Sequence, residues 1–362
     1  MLKIPCVLMR GGTSKGPVIL ASDLPDNIEE RDAVLLSLMG AGHELEIDGI
    51  GGGSPQTSKV AIVSPSTCSD ADVDYLFVQV MVNERRVDTT PNCGNMLCAV
   101  GPFAIEKGLV SAKSPVTTVR IRNLNTGTLV DAEVQTPDLL VSYEGDTHID
   151  GVPGAAAPVG LTFLNSAGCK TGKLLPTGNV IDRIDEAEVT CIDMAMPMVL
   201  IEAAQLGKTG FEQPAELESD RAFMTRLEHI RRQAGRAMGF GDVSDKVIPK
   251  PVLLSKPQAG GTINVRYFMP HACHRSLAIT GSIGISTATR IEGSVAWKII
   301  SGQPKTTYTS IIDIEHPGGK ISVSLTNESN EIEKTRAAVI RTCRKLFEGV
   351  VCVPDAAISE AI

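Results

Sequence analysis

Short apolar segments alternate with polar turns along most of this chain, and few segments carry apolar residues at helical spacing. Segments of the first kind predict strands, because their apolar side chains can line one or both faces of a sheet. In the first half the predicted strands are residues 4–9, 60–63, 74–82, 118–123 and 128–134. The last two flank Asn125-Thr126-Gly127, a turn sequence typical of a hairpin. Residues 26–38 instead predict an amphipathic helix.

The second half repeats this order of elements, which indicates a duplicated fold. Its predicted strands are residues 189–193, 248–254 and 262–269, followed by a hairpin within 311–323. A long helix is expected from Glu216 to Met238. We therefore expect two similar domains, residues 1–175 joined by the C-terminal segment 340–362, and residues 176–339.

One stretch in each half predicts a buried helix with an open first turn. In the first half Asn92-Cys93-Gly94-Asn95 precedes an apolar run that ends at Gly108. His271-Ala272-Cys273-His274 precedes the corresponding run, so Cys93 and Cys273 are expected at equivalent helix starts. Free N–H groups at two helix starts facing one cleft would hold a small molecule with several negative charges. The alternative is that each cysteine is an inert residue of a core helix.

Two glycine-rich loops add candidate charged groups. Arg10-Gly11-Gly12-Thr13-Ser14-Lys15-Gly16 combines two cations with hydroxyl and amide donors, which is typical of an anion-binding loop or of an ordinary turn. It lacks the spacing of a P-loop, so nucleotide binding is not expected. Residues 48–58 form the second loop, and Lys59 follows it at the start of a strand. Lys59 is either a functional amine or a solvated surface lysine.

Composition excludes several classes of function. The chain has 362 residues, a formal net charge of -8 and a pI near 5.4, without a run of basic residues, so a nucleic-acid partner is not expected. No apolar stretch is long enough for a membrane span. The nine cysteines include no C-x-x-C pair, which argues against a disulfide framework or a zinc site and favours the cytoplasm. We expect neither a metal nor a cofactor.

The motifs together resemble the PrpF-type isomerases, a group that includes 2-methylaconitate isomerase, methylitaconate isomerase and 4-oxalomesaconate tautomerase. The resemblance covers nearly the whole chain and rests on residues 9–16, 47–52, 57–61, 92–95, 150–154 and 349–351. It implies an α+β, diaminopimelate-epimerase-like fold of two duplicated domains, each a barrel-like sheet around a central helix, with the active site between them. It also implies a cofactor-independent isomerase that shifts a double bond in an unsaturated di- or tricarboxylate.

The resemblance also assigns roles to residues. The lysine matching Lys59 is the proton-abstracting base, and the cysteine matching Cys93 is a site residue whose necessity varies. The reaction passes through a dienolate, so we expect Arg10 and Lys15 to favour the neutral amine of Lys59 and to stabilise negative charge. Cys273 is a second candidate for returning the proton. The expected substrate-binding residues are Arg10, Thr13, Ser14, Lys15, Ser54, Ser58, Asn92, Gly94, Asn95, His271, His274 and Arg275.

Several alternatives stay open. His271 and His274 are either proton donors or structural caps of the predicted helix. Cys93 and Cys273 could instead form the acid/base pair of a two-thiol epimerase, and a carboxylate-binding accessory protein without turnover is a third hypothesis. We also expect a homodimer.

Two positions depart from the family pattern and leave the substrate open. Residues 192–197 read I-D-M-A-M-P, where tautomerase-like members tend to have I-D-N-G-M-P. Arg275 follows the H-x-C-H sequence, where those members have a small residue. This pattern is closest to a bacterial subgroup that is named as isomerases without a substrate.

Overall fold

Strands make up most of the regular structure. The computed structural model describes residues 1–164, 166–269, 271–300, 309–326 and 331–355. Its strands are β1 (Leu2–Gly11), β2 (Ser14–Leu20), β3 (Lys59–Pro65), β4 (Val73–Val80), β5 (Val87–Asp88), β6 (Val116–Asn123), β7 (Leu129–Gln135), β8 (Pro158–Leu164), β9 (Asp182–Ile184), β10 (Ala187–Asp193), β11 (Pro197–Glu202), β12 (Lys250–Ser255), β13 (Ile263–Tyr267), β14 (Thr309–His316), β15 (Gly319–Thr326) and β16 (Arg336–Val353). Its α-helices are α1 (Ile28–Met39), α2 (Gly94–Glu106), α3 (Pro214–Ser219), α4 (Arg221–Ala237), α5 (Ile279–Ala288) and α6 (Val295–Ile299).

The chain forms two compact units. The first comprises Met1–Thr162 and the C-terminal stretch from Ile340, and the second comprises Phe163–Val339. The predicted boundary at residue 175 lies inside the second unit, because the N–H groups of residues 170–171 each donate to the Asp193 carboxylate at 2.8 Å. Residues 356–362 of the predicted C-terminal segment lie outside the described residues.

In the first unit the sheet closes into a barrel. Its strand order is β1, β2, β3, β4, β6, β7, β8 and β16, and β16 pairs back onto β1. The β1–β16 pair is antiparallel, with Gly11 opposite Cys343. β2 and β3 are parallel, and the chain between them includes α1, which supplies the crossover. Closure pairs the strand edges that an open sheet would leave free.

Helix α2 fills this barrel. All residues from Met96 to Ala104 are buried, so the helix is apolar on every side and needs protein around it. It contacts β1, β2, β3, β4, β6 and β7. Gly101 lets the helix approach β7, because a Cβ there would lie 2.9 Å from Cγ2 of Val134. α1 covers the outer face of the sheet, where Leu35 packs in one apolar cluster with Ile62.

The second unit also encloses a helix. Its strand order is β9, β10, β11, β12, β13, β14, β15 and the first part of β16. All 10 residues of α5 are buried, and the helix contacts β10, β11, β14 and β15. α4 covers the other face, where Leu227 and Ile230 share an apolar cluster with Leu253. The prediction of a mixed fold, with a sheet around a central helix in each half, is confirmed.

The helix predicted over Glu216–Met238 is two helices. Asp220 lies between them with extended backbone angles, φ -79° and ψ 90°, and it caps α4 by accepting from the Phe223 N–H at 3.0 Å. Nζ of Lys208 lies 2.6 Å from its carboxylate. The apolar periodicity continues across this break, so the pattern alone predicts one helix.

Truncating an α2 side chain should cost more stability than the same change at the surface. Phe103 is 1% exposed, and Phe103→Ala is expected to lower the free energy of unfolding by about 3–5 kcal/mol, through lost burial and the cavity left behind. The matched control is Phe347, which is 53% exposed on β16, and Phe347→Ala should cost less than about 1 kcal/mol. Urea unfolding measures both, and equal losses would contradict the central packing of α2.

Candidate active site

The inner face of the first barrel, which faces α2, collects polar groups at the start of β3. Val60 and Ile62 belong to the apolar cluster beneath α1, so strand alternation places Lys59 and Ala61 on the opposite, inner face. Gln79 of β4 lies directly across from Lys59 in the antiparallel ladder and therefore shares that face.

The Lys59 amine is held by uncharged groups. Its Nζ donates to Oε1 of Gln79 at 2.7 Å and lies 4.9 Å from the centre of the Phe77 ring. The Gln79 amide is itself oriented, because its Nε2 donates to the Ser58 carbonyl oxygen at 2.7 Å. Within the described ranges no carboxylate pairs with Lys59. The amine can therefore meet a bound acid without first breaking an ion pair.

Helix α2 begins at this face with an open first turn. Cys93 is its N-cap, as predicted, and makes no side-chain cap hydrogen bond. The Leu97 N–H donates to the Cys93 carbonyl oxygen at 3.1 Å, so the N–H groups of residues 94–96 have no acceptor within the helix. With the positive end of the helix dipole, these N–H groups suit an anion. The Tyr75 hydroxyl donates to the same carbonyl oxygen at 3.2 Å, and burial raises the pKa of Tyr75 well above its usual range.

The loop between β1 and β2 packs on the same end of the helix. Nδ2 of Asn95 donates to Oγ1 of Thr13 at 3.0 Å. Gly12 has φ +50°, and a Cβ there would overlap Oδ1 of Asn95, so the position requires glycine. A Cβ on Gly16 would overlap the Lys59 carbonyl oxygen. The glycines of this loop thus allow close backbone packing of the loop against α2 and β3.

Two more predicted residues lie beside this site. Ser14 is 4% exposed and pairs with Gly11 across the β1–β2 ladder. A Cβ on Gly11 would overlap the backbone oxygen of Asn95, so this part of the ladder faces α2. The side-chain oxygen of Asn92 accepts from Nδ2 of Asn123 at 2.7 Å, which fixes the residue before Cys93.

Arg10 and Lys15 do not share the face of Lys59. The two are paired across β1 and β2, and alternation puts Arg10 on the face of Cys6, which packs beneath α1. Nη1 of Arg10 donates to the Thr342 carbonyl oxygen at 2.9 Å. Sγ of Cys98 in α2 lies 3.5 Å from the same carbonyl oxygen, so the guanidinium of Arg10 reaches back toward α2 at the end of the strand. Strand alternation thus does not support a direct action of Lys15 on the Lys59 amine, and the action of Arg10 stays a prediction.

The glycine-rich loop before β3 wraps around a carboxylate of the protein itself. Glu46 is 1% exposed, and it accepts from the Gly53 N–H at 2.8 Å and from the Ser58 hydroxyl. Oγ of Ser54 lies 2.8 Å from the Thr57 hydroxyl oxygen. The Ser58 side chain thus holds the loop, and its expected role in substrate binding stays a prediction.

Cys273 does not start a helix, so its predicted equivalence with Cys93 is wrong. The helix α5 begins at Ile279, and Cys273 instead forms an isolated bridge with Phe268. Cys273 is 4% exposed and belongs to the apolar cluster beneath α4. Its backbone N–H donates to Oε1 of Glu218 at 2.9 Å. Burial raises the pKa of its thiol to about 12.

The remaining predicted residues flank this bridge. His271 and Arg275 are exposed. Nδ1 of His274 accepts from the Ser276 N–H at 2.9 Å, and its ring meets Tyr267 edge-on with centroids 6.2 Å apart. His274 therefore stabilises the turn that precedes α5. Whether the two helix starts serve one binding site stays a prediction.

Sequence reasoning missed three residues of β4 that surround the site. Tyr75, Phe77 and Gln79 alternate along the strand and pair with positions 63, 61 and 59 of β3. The signal was present in the sequence, because two neighbouring predicted strands with a short connection favour an antiparallel pair.

In the described part of the chain no group of three or more His, Cys, Asp and Glu residues could hold a metal ion. No helix there is long and apolar enough to cross a bilayer.

Comparisons with a family model and with individual proteins agree on one family. The model of the PrpF protein family matches residues 1–354. The protein YbhH of Escherichia coli (strain K12), provisionally named as an isomerase, is 62% identical over 354 residues, which are 98% of this chain and 100% of that protein. The 4-oxalomesaconate tautomerase of Pseudomonas putida is 51% identical over 351 residues, 97% of this chain and 96% of the relative.

Solved structures agree with the fold. A methylitaconate-delta-isomerase superimposes with a TM-score of 0.87 at 36% identity, covering 98% of this chain and 97% of that chain. A hydroxyproline epimerase from Agrobacterium vitis superimposes with a TM-score of 0.53 at 14% identity, covering 99% of this chain and 95% of that chain. The second likeness shows the fold alone, which is the expected diaminopimelate-epimerase-like one.

Cys273 should resist alkylation at neutral pH. With a thiol pKa of about 12, roughly one molecule in 10,000 carries the thiolate at pH 8, and burial hinders the reagent further. Iodoacetamide labelling followed by peptide mass spectrometry is expected to modify the exposed Cys352 first, and Cys273 only as the pH approaches 12. Labelling of both residues at the same rate at pH 8 in the folded protein would contradict the buried thiol.

Proposed function

The chain belongs to the PrpF protein family, and on that basis we propose that it is an isomerase that moves a double bond within an unsaturated di- or tricarboxylate. Relatives described above are named for 4-oxalomesaconate and methylitaconate, both unsaturated carboxylates. The reaction removes a proton from one carbon and returns a proton to another, so substrate and product have the same atoms and oxidation state. It needs an acid/base group and a means of stabilising the dienolate between the two steps.

The observation that carries this proposal is the Lys59 amine, which has no carboxylate partner among the described residues and lies on the barrel face toward the open start of α2. Lys59 in its neutral form takes the proton from a carbon next to the carboxylate-bearing double bond. The electron pair of the broken C–H bond moves into the dienolate, whose oxygens gain negative charge. The N–H groups of residues 94–96 stabilise that charge, and the proton returns at the other end of the three-carbon system.

Two neighbours of Lys59 have supporting roles in this proposal. Gln79 directs the amine, because its fixed amide oxygen accepts one N–H and leaves the other positions of Nζ free for the substrate. Cys93, at the N-cap of α2, is the candidate that returns the second proton. The hydrogen bond from Asn95 to Thr13 ties the first turn of α2 to the β1–β2 turn.

The two-thiol epimerase is less well supported. A thiol pKa of about 12 makes Cys273 almost fully protonated at neutral pH, and a protonated thiol cannot serve as a base. Its place in the apolar cluster beneath α4 also shields it from a substrate. A non-catalytic carboxylate-binding protein would leave the amine of Lys59 without a chemical task, and a proton-exchange experiment separates that alternative from the isomerase.

We further propose that the protein works in the cytoplasm. All nine cysteines are free, which suits a reducing compartment. A homodimer remains a prediction that gel filtration with light scattering would test.

Loss of the Lys59 amine should abolish proton exchange. Lys59→Met keeps an unbranched side chain of similar length, and kcat for exchange of substrate protons with D₂O is expected to fall by about 100- to 10,000-fold. The exchange is followed by NMR on a panel of unsaturated tricarboxylates. Lys15→Met is the matched control, because Lys15 lies on the opposite sheet face, and it should stay within about threefold of the natural protein.

Undiminished exchange by Lys59→Met would contradict Lys59 as the base. Exchange with no member of the panel, in a protein that binds these acids, would favour the accessory binding protein over an isomerase.

Changing Gln79 should alter the pH dependence of the reaction. Gln79→Glu puts a carboxylate where the amide oxygen now accepts from Lys59, which favours the charged amine. The acidic limb of the pH profile of kcat is therefore expected to move to higher pH, while Gln79→Leu should lower kcat by about 10- to 100-fold without such a shift. Profiles that coincide with that of the natural protein for both variants would remove Gln79 from the site.

A further inference from the structure

Arg341 is a cation on the inner face of the first barrel. It lies on β16 two residues before Cys343, which is paired with Gly11 of β1. The Cβ direction of Gly11 points at the backbone of Asn95 in α2, so this face of the ladder is the inner one. Arg341 and Cys343 share a face by strand alternation, whereas Arg344 lies on the other face, opposite Arg10.

The Arg341 side chain is half-buried, and its guanidinium has few partners within the protein. Its Nε is shielded from water and has no hydrogen-bond partner. Its Nη1 makes one long hydrogen bond, 3.3 Å, to the carbonyl oxygen of Ile340. Among the described residues the only ionisable group that favours its charge is the thiol of Cys98, and burial raises the pKa of that thiol to about 12. Burial likewise lowers the pKa of Arg341 to about 10.

Such an arrangement is costly in a free protein. The shielded Nε of Arg341 has no acceptor and its charge has no carboxylate partner among the described residues, and a polar group desolvated in this way lowers stability. The charge of Arg341 acts on the thiol of Cys98, whose Sγ lies 3.0 Å from the backbone oxygen of Asn95 in the first turn of α2, so the positive end of that helix lies nearby. Two positive features next to each other and no carboxylate among the described residues indicate a site for an anion.

We propose that the Arg341 guanidinium binds a carboxylate group of the substrate beside the open first turn of α2. The choice of a carboxylate rests on the proposed function, whereas the need for an anion rests on the geometry. A planar guanidinium can hold a carboxylate by two parallel N–H···O bonds. Arg341 thus adds a cation to the inner face that the strand pattern of the sequence does not predict.

Binding of a saturated acid tests this without any turnover. Tricarballylate has three carboxylates and no double bond, and isothermal titration calorimetry gives its Kd for the full chain. Arg341→Met is expected to weaken binding by about 10- to 100-fold, and Arg341→Lys by less, because an ammonium keeps the charge and loses the bidentate geometry. The matched control is Arg344→Met, an exposed arginine on the same strand, which should bind within about twofold of the natural protein.

A second measurement excludes a purely structural role. Without ligand, Arg341→Met should have a Tm at least equal to that of the natural protein, because the substitution removes a half-buried charge whose Nε has no acceptor. With tricarballylate, the Tm increase of the natural protein should be lost in Arg341→Met and kept in Arg344→Met. Equal Kd values for Arg341→Met and the natural protein would overturn the proposal, as would a natural protein that does not bind tricarballylate at about 10 mM. Neither result depends on the Lys59 exchange experiment, so failure of one proposal is distinguishable from failure of the other.

Discussion

An apolar helix inside a closed barrel is the constraint on which the first unit depends. α2 buries every residue from Met96 to Ala104, so it cannot lie on a surface, and the strands must close around it. Because the barrel encloses α2, it also fixes the position of the polar first turn of the helix. The N–H groups of the first turn have no acceptor within the helix, and the β1–β2 turn packs against them through Gly12 and Thr13. The packing of α2 in the barrel thus fixes the position of the N–H groups that lack an acceptor, and the candidate site lies at that position.

Much of this unit could be predicted from the sequence, because local rules and tertiary structure agree there. The order of Asn92-Cys93-Gly94-Asn95 before a long apolar run correctly gave the start of α2. The residues around Lys59 were harder to predict from the sequence. A strand pattern shows which positions alternate, but it does not show which of the two faces packs against the helix. Applying that alternation to β1 and β2 would have separated Arg10 and Lys15 from Lys59. It would not have found Arg341, because the return of β16 to β1 is a long-range pairing without a local signal.

The second unit shows the limits of reasoning from a repeat. Cys273 follows a strand as Cys93 does, but α5 starts only at Ile279, and the intervening residues form a bridged turn. Duplicated folds keep their core elements and vary the connections between them, so equal spacing of one residue type does not prove equal position. Ala195 is a related case. It has φ +60°, a conformation that favours glycine and is costly for alanine.

The central claim is that an acid binds at the start of α2, on the barrel face that carries Lys59. The most direct test is a crystal structure of the protein with tricarballylate. The account predicts one carboxylate within hydrogen-bond distance of the N–H groups of residues 94–96, with Nζ of Lys59 within about 3.5 Å of the ligand. A ligand that contacts neither the N–H groups of residues 94–96 nor Lys59 would contradict it.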